Sequence, residues 1–388
     1  METKAPQEFS DTVQRMKAAH LQIYEHLQRW GIIVPDYVDY TGRGRAAGSG
    51  AAKAYPIQGV LKYHGMADWH WRTAYLPSIS VNNDAAYTIT LVRFDPTLKQ
   101  DTIHLNGRTA TGRARTRVLR VLDEVRRVGG IVSSARVVSQ NFLRAAATGK
   151  GLGTSAAASA ALAAAAAKAA FPDVSVHGRF VNCLARLLAG SGCRSAAGGV
   201  ALWLSYPGIA HEDSFAVRLD GKNQLQDVRL ITVPLGSRID LQTEMAHREA
   251  PRSPFFRAWM YGRREETLEC IDAVQHGDWK TVGQLAELDS IRLHAVTMSG
   301  SRENKLFAWE PENIRLFRAC NAMRRAGVPV YFSTDTGPTT VFITHKEYVK
   351  AVVSRLQDLR LGLEPVVGEI AGPVQCLEVD EAKATLGI

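Results

Sequence analysis

Apolar residues open the chain at three-, four- and seven-residue spacing: Phe9, Val13, Met16, Ile23, Leu27 and Trp30. That period puts them on one face of an α-helix, with Gly31 as its stop. Residues 42–53, GRGRAAGSGAAK, then read as a flexible linker rich in glycine and arginine. From Tyr55 the pattern changes. Val60-Leu61 is a short apolar run, and Ser78–Val81 and Tyr87–Phe94 alternate like strands around the turn residues Asn82, Asn83 and Asp84. Thr116–Val128 reads as an Arg-rich amphipathic helix, Ala135–Ser139 as a strand, and Thr154–Ala170 as a helix on alanine propensity. A second unit opens with the strand Val228–Val233. Helices follow between Ser253 and Ala326, then strands Val330–Ser333 and Val341–Thr344 around STDTGPTT, helix Lys346–Leu356 and a last strand near Val374–Val379. Strands mixed with helices in this order predict an α+β architecture in two domains. The expected division is residues 1–50 as a helical extension and linker, 51–226 as the first domain and 227–388 as the second.

Composition narrows the function classes. The 388 residues are 46% hydrophobic and 22% charged, an ordinary globular balance. No stretch reaches the roughly 18 apolar residues of a membrane span, and the start of the chain has no apolar signal core. Cysteines 183, 193, 270, 320 and 376 are odd in number and lack C-x-x-C spacing, which suits a cytoplasmic protein without disulfides or a zinc site. Lys and Arg number 47 against 38 Asp and Glu, a net charge of +9. The excess is spread along the chain, without a basic block or aromatic nucleic-acid signature. It points to a small anionic substrate, with neither nucleic acid nor membrane as partner. A homodimer is kept as the assembly expectation.

Four segments could carry chemistry. GKGLGTSAAAS (149–159) sets glycines before a helix of small residues, where free backbone N–H groups favour an anion; a plain capped turn fits the same residues. AGSGCRSAAGG (189–199) flanks Ser191, Arg194 and Ser195 with glycines, and the Arg offers a planar fork for a carboxylate or phosphate. STDTGPTT (333–340) puts Asp335 at a strand end, a place for base chemistry or for an ordinary turn aspartate. In AYPIQGVLKYHGMADWHW (54–71), Lys62 follows an apolar run, and the six-residue gap between His64 and His70 fits no zinc pattern.

In this order, KYHG, LPSISV (76–81), HLNG (104–107), SQNF (139–142), GLGTSAA (151–157), SGCRS (191–195), LDSIRLH (288–294) and TDTGP (334–338) resemble the mevalonate diphosphate decarboxylase family of the GHMP kinase superfamily. The resemblance implies a two-domain GHMP kinase fold. Its first domain is ribosomal-S5-domain-2-like with a left-handed β-α-β crossover, its second is ferredoxin-like, and the active site lies between them. It implies ATP-dependent phosphorylation of a tertiary hydroxyl, followed by loss of phosphate and CO2, with Mg2+ on the ATP phosphates. By resemblance Asp335, Lys62 and Arg194 are catalytic, and Tyr63, Ser191 and Ser195 bind substrate. Gly151, Gly153, Thr154 and Ser155 bind nucleotide phosphate, and no protein metal site is implied.

The chain departs from the family pattern at three positions near the substrate tail. Ile57 stands for an Asn, His64 for a Trp and Met66 for a Lys. The lost cation shifts the expected substrate from the 5-diphosphate to (R)-5-phosphomevalonate, with isopentenyl phosphate as product. LRAAATGK (143–150) lengthens the approach to the glycine loop, which keeps an ATP-independent mevalonate 3,5-bisphosphate decarboxylase in view. The same motifs are compatible with a mevalonate 5-diphosphate decarboxylase giving isopentenyl diphosphate and with a plain mevalonate-type kinase. A non-enzymatic anion-binding protein is the reading from outside enzymology.

Overall fold

The computed structural model describes residues 10–143, 153–236, 243–301, 303 and 306–388. Helix α1 (Ser10–Arg29) forms where the apolar period places it and buries Met16, Ala19, Ile23 and Leu27. Phe9 lies outside the described residues. Then come β1 (Gly48–Ala54), β2 (Ile57–Leu61), the short hairpin β3 (Met66–Asp68) and β4 (Thr73–Ala74), β5 (Ser78–Asn82), β6 (Ala86–Asp95), β7 (Thr102–Leu105) and β8 (Arg108–Thr109). Helix α2 (Gly112–Gly129) leads to β9 (Ser134–Leu143). Helices α3 (Thr154–Ala170), α4 (Arg179–Leu188) and α5 (Gly192–Ala197) precede β10 (Val200–Trp203) and β11 (Ala216–Arg218). The rest comprises β12 (Val228–Val233), α6 (Thr243–Glu249), α7 (Phe256–Tyr261), α8 (Arg263–Gln275), α9 (Trp279–Gly300), α10 (Pro311–Arg325), β13 (Val330–Thr334), β14 (Thr340–His345), α11 (Val349–Gln357), β15 (Val366–Glu369), β16 (Gln375–Leu377) and α12 (Val379–Leu386).

Among the described residues the strands form a six-stranded sheet of order β16-β1-β6-β9-β7-β8, a four-stranded sheet β11-β10-β5-β2, a second four-stranded sheet β13-β14-β12-β15, and the hairpin β3-β4. β7 and β9 run parallel with α2 between them, a β-α-β crossover inside a largely antiparallel sheet. The sheet β13-β14-β12-β15 is antiparallel throughout. Counting its strands in chain order gives 2-3-1-4, with helices after the first and third, which is the ferredoxin-like arrangement. The α+β class and the GHMP kinase fold are thus the observed ones.

Two expectations are corrected. Residues 48–53 are not linker: Gly48–Ala54 is a full strand, paired with β6 from Gly48↔Phe94 to Ala54↔Thr88. Its small residues let α3 approach closely. A Cβ at Gly48 would stand 2.2 Å from the Ala169 carbonyl, and one at Gly50 2.3 Å from that of Ala165. The alanines of α3 and the glycines of β1 are two halves of one contact. The last strand also does not close the second unit. β16 pairs with β1 (Ala51↔Leu377), so the C-terminal residues return to the first sheet, and β15 completes the second.

Helix α1 docks against the helical layer of the second unit. Ile23 and Leu27 share a core with Cys270, Ile271 and Val274, and Met16 packs with Phe256 and Met260. Asp272 receives the His26 ring at 2.6 Å and the Trp30 indole N–H at 2.7 Å. No described helix is long and apolar enough to cross a membrane.

Candidate active site

Two strand ends meet at the centre. β13 delivers Asp335 into the turn towards β14, and β2 ends one residue before Lys62. Lys62 is 3% exposed, while the Asp335 side chain keeps 25% of its surface, so the carboxylate faces outward and the ammonium is sealed. An ammonium has three donors. All three of Lys62 are used: Asp335 Oδ1 at 2.8 Å, Ser333 Oγ at 2.6 Å and the Gly59 carbonyl at 2.6 Å. Burial lowers the Lys62 pKa, opposed by the charge and hydrogen bond of Asp335.

The carboxylate is held from beneath by the Gly59 amide (3.3 and 3.4 Å) and the Gln58 amide nitrogen (3.4 Å). A Cβ at Gly59 would lie 2.8 Å from Asp335 Oδ1 and 2.8 Å from Lys62 Cδ, so a side chain here would push on the Asp335–Lys62 pair. Ser333 accepts from Gln58 at 2.7 Å and donates to Gly59 O at 2.8 Å. His294, from α9, reaches the same turn. Its Nε2 lies 3.0 Å from the Asp335 carbonyl, which can only accept, so that nitrogen carries the proton. Burial pushes the ring down to about 3, keeping it neutral, and it packs on Trp309 at 4.2 Å. Asp289 anchors the other strand: it accepts the Lys62 backbone amide at 2.5 Å, the Trp259 indole at 2.6 Å and Arg263 Nη2 at 2.9 Å.

Arg194 sits on the short helix α5, 2% exposed, with Nε and Nη1 lacking any acceptor among the described residues. Its guanidinium lies 5.2 Å from the centre of the Tyr63 ring. Burial lowers its pKa, and the charge of Asp335 acts in the opposite direction. A buried cation with unused donors is a site waiting for an anion. Tyr63 hydrogen-bonds Ser191 and stacks on His247 at 5.4 Å. Ser195 is turned inward: its hydroxyl donates to the Tyr55 carbonyl at 2.6 Å and ties α5 to the strand layer. His64 is fully buried, with a pKa pushed down to about 3 by burial, and its Nε2 is 3.4 Å from Thr297 Oγ1.

The glycine loop reaches the described structure at Gly153, the residue before α3, with φ +67°. A Cβ there would stand 2.4 Å from the Ile57 carbonyl, so only glycine lets the helix start abut β2. Thr154 and Ser155 follow in the first turn, and their backbone amides have no acceptor among the described residues. Ile57 is two residues from Gly59, about 7 Å along a strand. The anion-favouring helix start and the Asp335–Lys62 pair therefore share β2 as their support. Gly151 lies outside the described residues.

Asp335, Lys62, Arg194, Tyr63 and Ser191 thus converge, with Gly153, Thr154 and Ser155 at the near end of β2. The sequence motifs assign no role to Gln58, Gly59, Ser333, Asp289 or His294. Gln58 and Gly59 lie in the run before Lys62, Ser333 opens STDTGPTT, and Asp289 and His294 lie in LDSIRLH, and those segments are the signal for them.

A two-domain GHMP kinase fold with a strand-end aspartate, a sealed lysine and an unpaired buried arginine defines a class of phosphoryl-transfer and decarboxylation enzymes. Residues 54–216 match the family model described as diphosphomevalonate decarboxylase-like N-terminal domain. The phosphomevalonate decarboxylase of Haloferax volcanii is 35% identical over 332 residues, covering 85% of this chain and 98% of that protein. The mevalonate 3,5-bisphosphate decarboxylase of Thermoplasma volcanium is 30% identical, covering 80% and 79%. The mevalonate diphosphate decarboxylase of Enterococcus faecalis, in a structure describing mevalonate diphosphate mediated ATP binding, superposes with a TM-score of 0.77 at 28% identity, covering 86% and 100%. The chain belongs to the mevalonate diphosphate decarboxylase family and is a decarboxylase.

Proposed function

We propose that this enzyme converts (R)-5-phosphomevalonate and ATP to isopentenyl phosphate, CO2, ADP and phosphate. The observation that carries the reading is Asp335, held partly exposed by Lys62, close to a buried Arg194 with unused donors. Asp335 is the base that orients and deprotonates the tertiary hydroxyl at carbon 3. That oxygen takes the γ-phosphoryl group, and the new phosphate ester is the leaving group that hydroxide could not be. Asp335 passes the proton it took to solvent and is ionised again before the elimination. As the carbon 3–oxygen bond then breaks, the electron pair leaves with phosphate, and the Asp335 carboxylate offsets the positive charge that develops. The bond between carbon 2 and the carboxylate then breaks. Its electrons form the carbon 2–carbon 3 double bond, and CO2 departs.

Arg194 holds the substrate carboxylate with its free donors until that point. Lys62 fixes Asp335 rather than reaching for phosphate, because its three donors are already engaged. Ser191 and Tyr63 line the substrate side, and Ser195 serves as the tether of α5. Gly153, Thr154 and Ser155, with Gly151, are the residues that would hold ATP phosphates: the free amides of the α3 start suit an anion. Magnesium, when bound with ATP, would supply charge neutralisation for those phosphates. Residues 51–226, joined by the returning β16 and α12, and the remainder of 227–388 are taken as the two domains around this cleft, and the surroundings are cytoplasmic.

The test is CO2 release from mevalonate 5-phosphate, 5-diphosphate and 3,5-bisphosphate, each with and without MgATP. The expected result is CO2 and isopentenyl phosphate from the 5-phosphate only when MgATP is present. CO2 from the 3,5-bisphosphate alone, without ATP binding, would replace this reading with the ATP-independent one, which the Thermoplasma relative favours. Isopentenyl diphosphate as main product would move the substrate to the diphosphate.

A further inference from the structure

Arg72 stands in the turn between β3 and β4 and is 8% exposed. It makes no hydrogen bond or ion pair among the described residues, and its Nε is buried without an acceptor. Its backbone has φ +53°, a left-handed conformation that a side-chain-bearing residue seldom adopts. The turn is clamped there. Asp68 Oδ1 accepts the Trp71 amide at 2.8 Å, and the fully buried Arg186 donates Nε to the Trp71 carbonyl at 2.7 Å. The Trp71 ring packs on His211 at 4.0 Å, and His211 is itself held by Arg186 at 2.6 Å.

Arg72 belongs to a line of groups that begins at Asp335. Lys62 holds Asp335 at 2.8 Å, and the Arg194 guanidinium lies 5.2 Å from the Tyr63 ring. The Tyr63 hydroxyl meets Met66 of the Arg72 hairpin over Gly190, and the Arg72 charge lowers the Arg117 pKa. Arg117, on α2, donates Nε to the Leu188 carbonyl at 2.9 Å, leaving its outer nitrogens. Burial first, then the charges of Arg72 and Arg113, push its pKa down to about 10. Arg113 is paired with Glu244, and Arg120 adds a further positive charge acting on Arg72. Position 66, on the arm facing Arg72 in the hairpin, is the buried apolar Met66, paired with Ala74. Its Cε shares the space over Gly190 with the Tyr63 hydroxyl. The positive charge of this corner therefore comes from the turn and from α2, not from position 66.

We propose that Arg72, with Arg117, forms the subsite for the 5-phosphate, a phosphomonoester dianion, and so determines the substrate tail that the enzyme accepts. This rests on the phosphomevalonate reading above. Phosphate oxygens would take up the donors that Arg72 leaves unused, and the clamped turn holds its fork ready before substrate arrives.

The experiment is calorimetric binding of mevalonate 5-phosphate, mevalonate and inorganic phosphate to the full chain and to Arg72→Met, Arg72→Lys and Arg117→Met. Arg72→Met is expected to weaken mevalonate 5-phosphate by about 30- to 100-fold while leaving mevalonate within about two-fold, and to abolish the competition by inorganic phosphate. Arg72→Lys should keep part of the affinity, and Arg117→Met should lose about tenfold. In turnover the loss should fall on KM, with kcat changed only a few-fold. Equal weakening of mevalonate and its 5-phosphate, or no weakening, overturns the subsite. If Arg72→Met does not fold by circular dichroism, Arg72→Lys and Arg117→Met decide the question by the same criterion. Binding is read without turnover, so the two proposals fail separately. An enzyme that binds the 5-phosphate through Arg72 but releases no CO2 from it overturns the reaction alone. An active enzyme whose variants bind normally overturns the subsite alone.

Discussion

Asp335 and Lys62 act as one unit. The lysine is buried and would be an unpaired cation without its carboxylate, and the carboxylate would lose its short contact without the lysine. Asp335→Asn keeps the shape of the side chain but can neither accept the hydroxyl proton nor offset charge at carbon 3. We expect kcat for CO2 release to fall by at least about 10³-fold with the fold retained. The same change removes the largest influence that raises the Lys62 pKa, leaving burial to push it further down. The ammonium should then lose its proton at a lower pH in the variant than in the parent, which nuclear magnetic resonance of the lysine nitrogen can follow. Activity within a few-fold of the parent would remove Asp335 from the mechanism. This residue is legible in TDTGP. Its partners Gly59, Ser333 and Gln58 are not, because each looks like an ordinary strand residue until two distant strands meet.

At the scale of elements, β1 and α3 explain each other. A run of glycine and small residues is equally a linker or a close-packing strand, and the choice depends on whether a helix of alanines comes to lie on it. Here it does, with Gly50 against the Ala165 backbone. Gly50→Ala puts a methyl 2.3 Å from a carbonyl oxygen that cannot rotate away, so the helix must shift. We expect a loss of about 1–3 kcal/mol in urea unfolding, with a drop in activity, because the start of α3 is also the candidate phosphate-binding end. A change below about 0.5 kcal/mol would mean that the contact is looser than described. The alanine helix itself is readable from propensity, and its bounds, Thr154–Ala170, agree with the expectation.

For the whole molecule, the buried histidines set the acid limit of stability. Burial depresses His64, His211 and His294 from 6.5 to about 3 in the folded chain. Between these values the unfolded chain binds more protons than the folded one, so stability rises with pH across this window and is lost as pH falls below about 6.5. At pH 5 each histidine withdraws about 2 kcal/mol relative to neutral pH, from about 1.5 units at roughly 1.36 kcal/mol per unit. Urea unfolding at pH 7 and pH 5 measures this. A flat profile would show that these rings take up protons inside the fold.

By itself the sequence determined the periodic elements, the α+β class and, through the order of eight separated motifs, the family; the acidic, basic and guanidinium residues proposed for its chemistry stand in those motifs. Those are local properties: side-chain period, propensity and short motifs survive without knowledge of the rest of the chain. Only the tertiary structure decided that residues 48–54 are a strand, that β16 returns to pair with β1, and that Lys62 spends its donors on Asp335, Ser333 and Gly59. It also decided that Arg72, an ordinary arginine among tryptophans in the sequence, is buried and unpaired in the same neighbourhood as Tyr63 and Arg194. Strand pairing and burial are agreements between segments far apart in the chain. No single segment carries that information, because the free energy that selects the partner is released only when the surfaces meet.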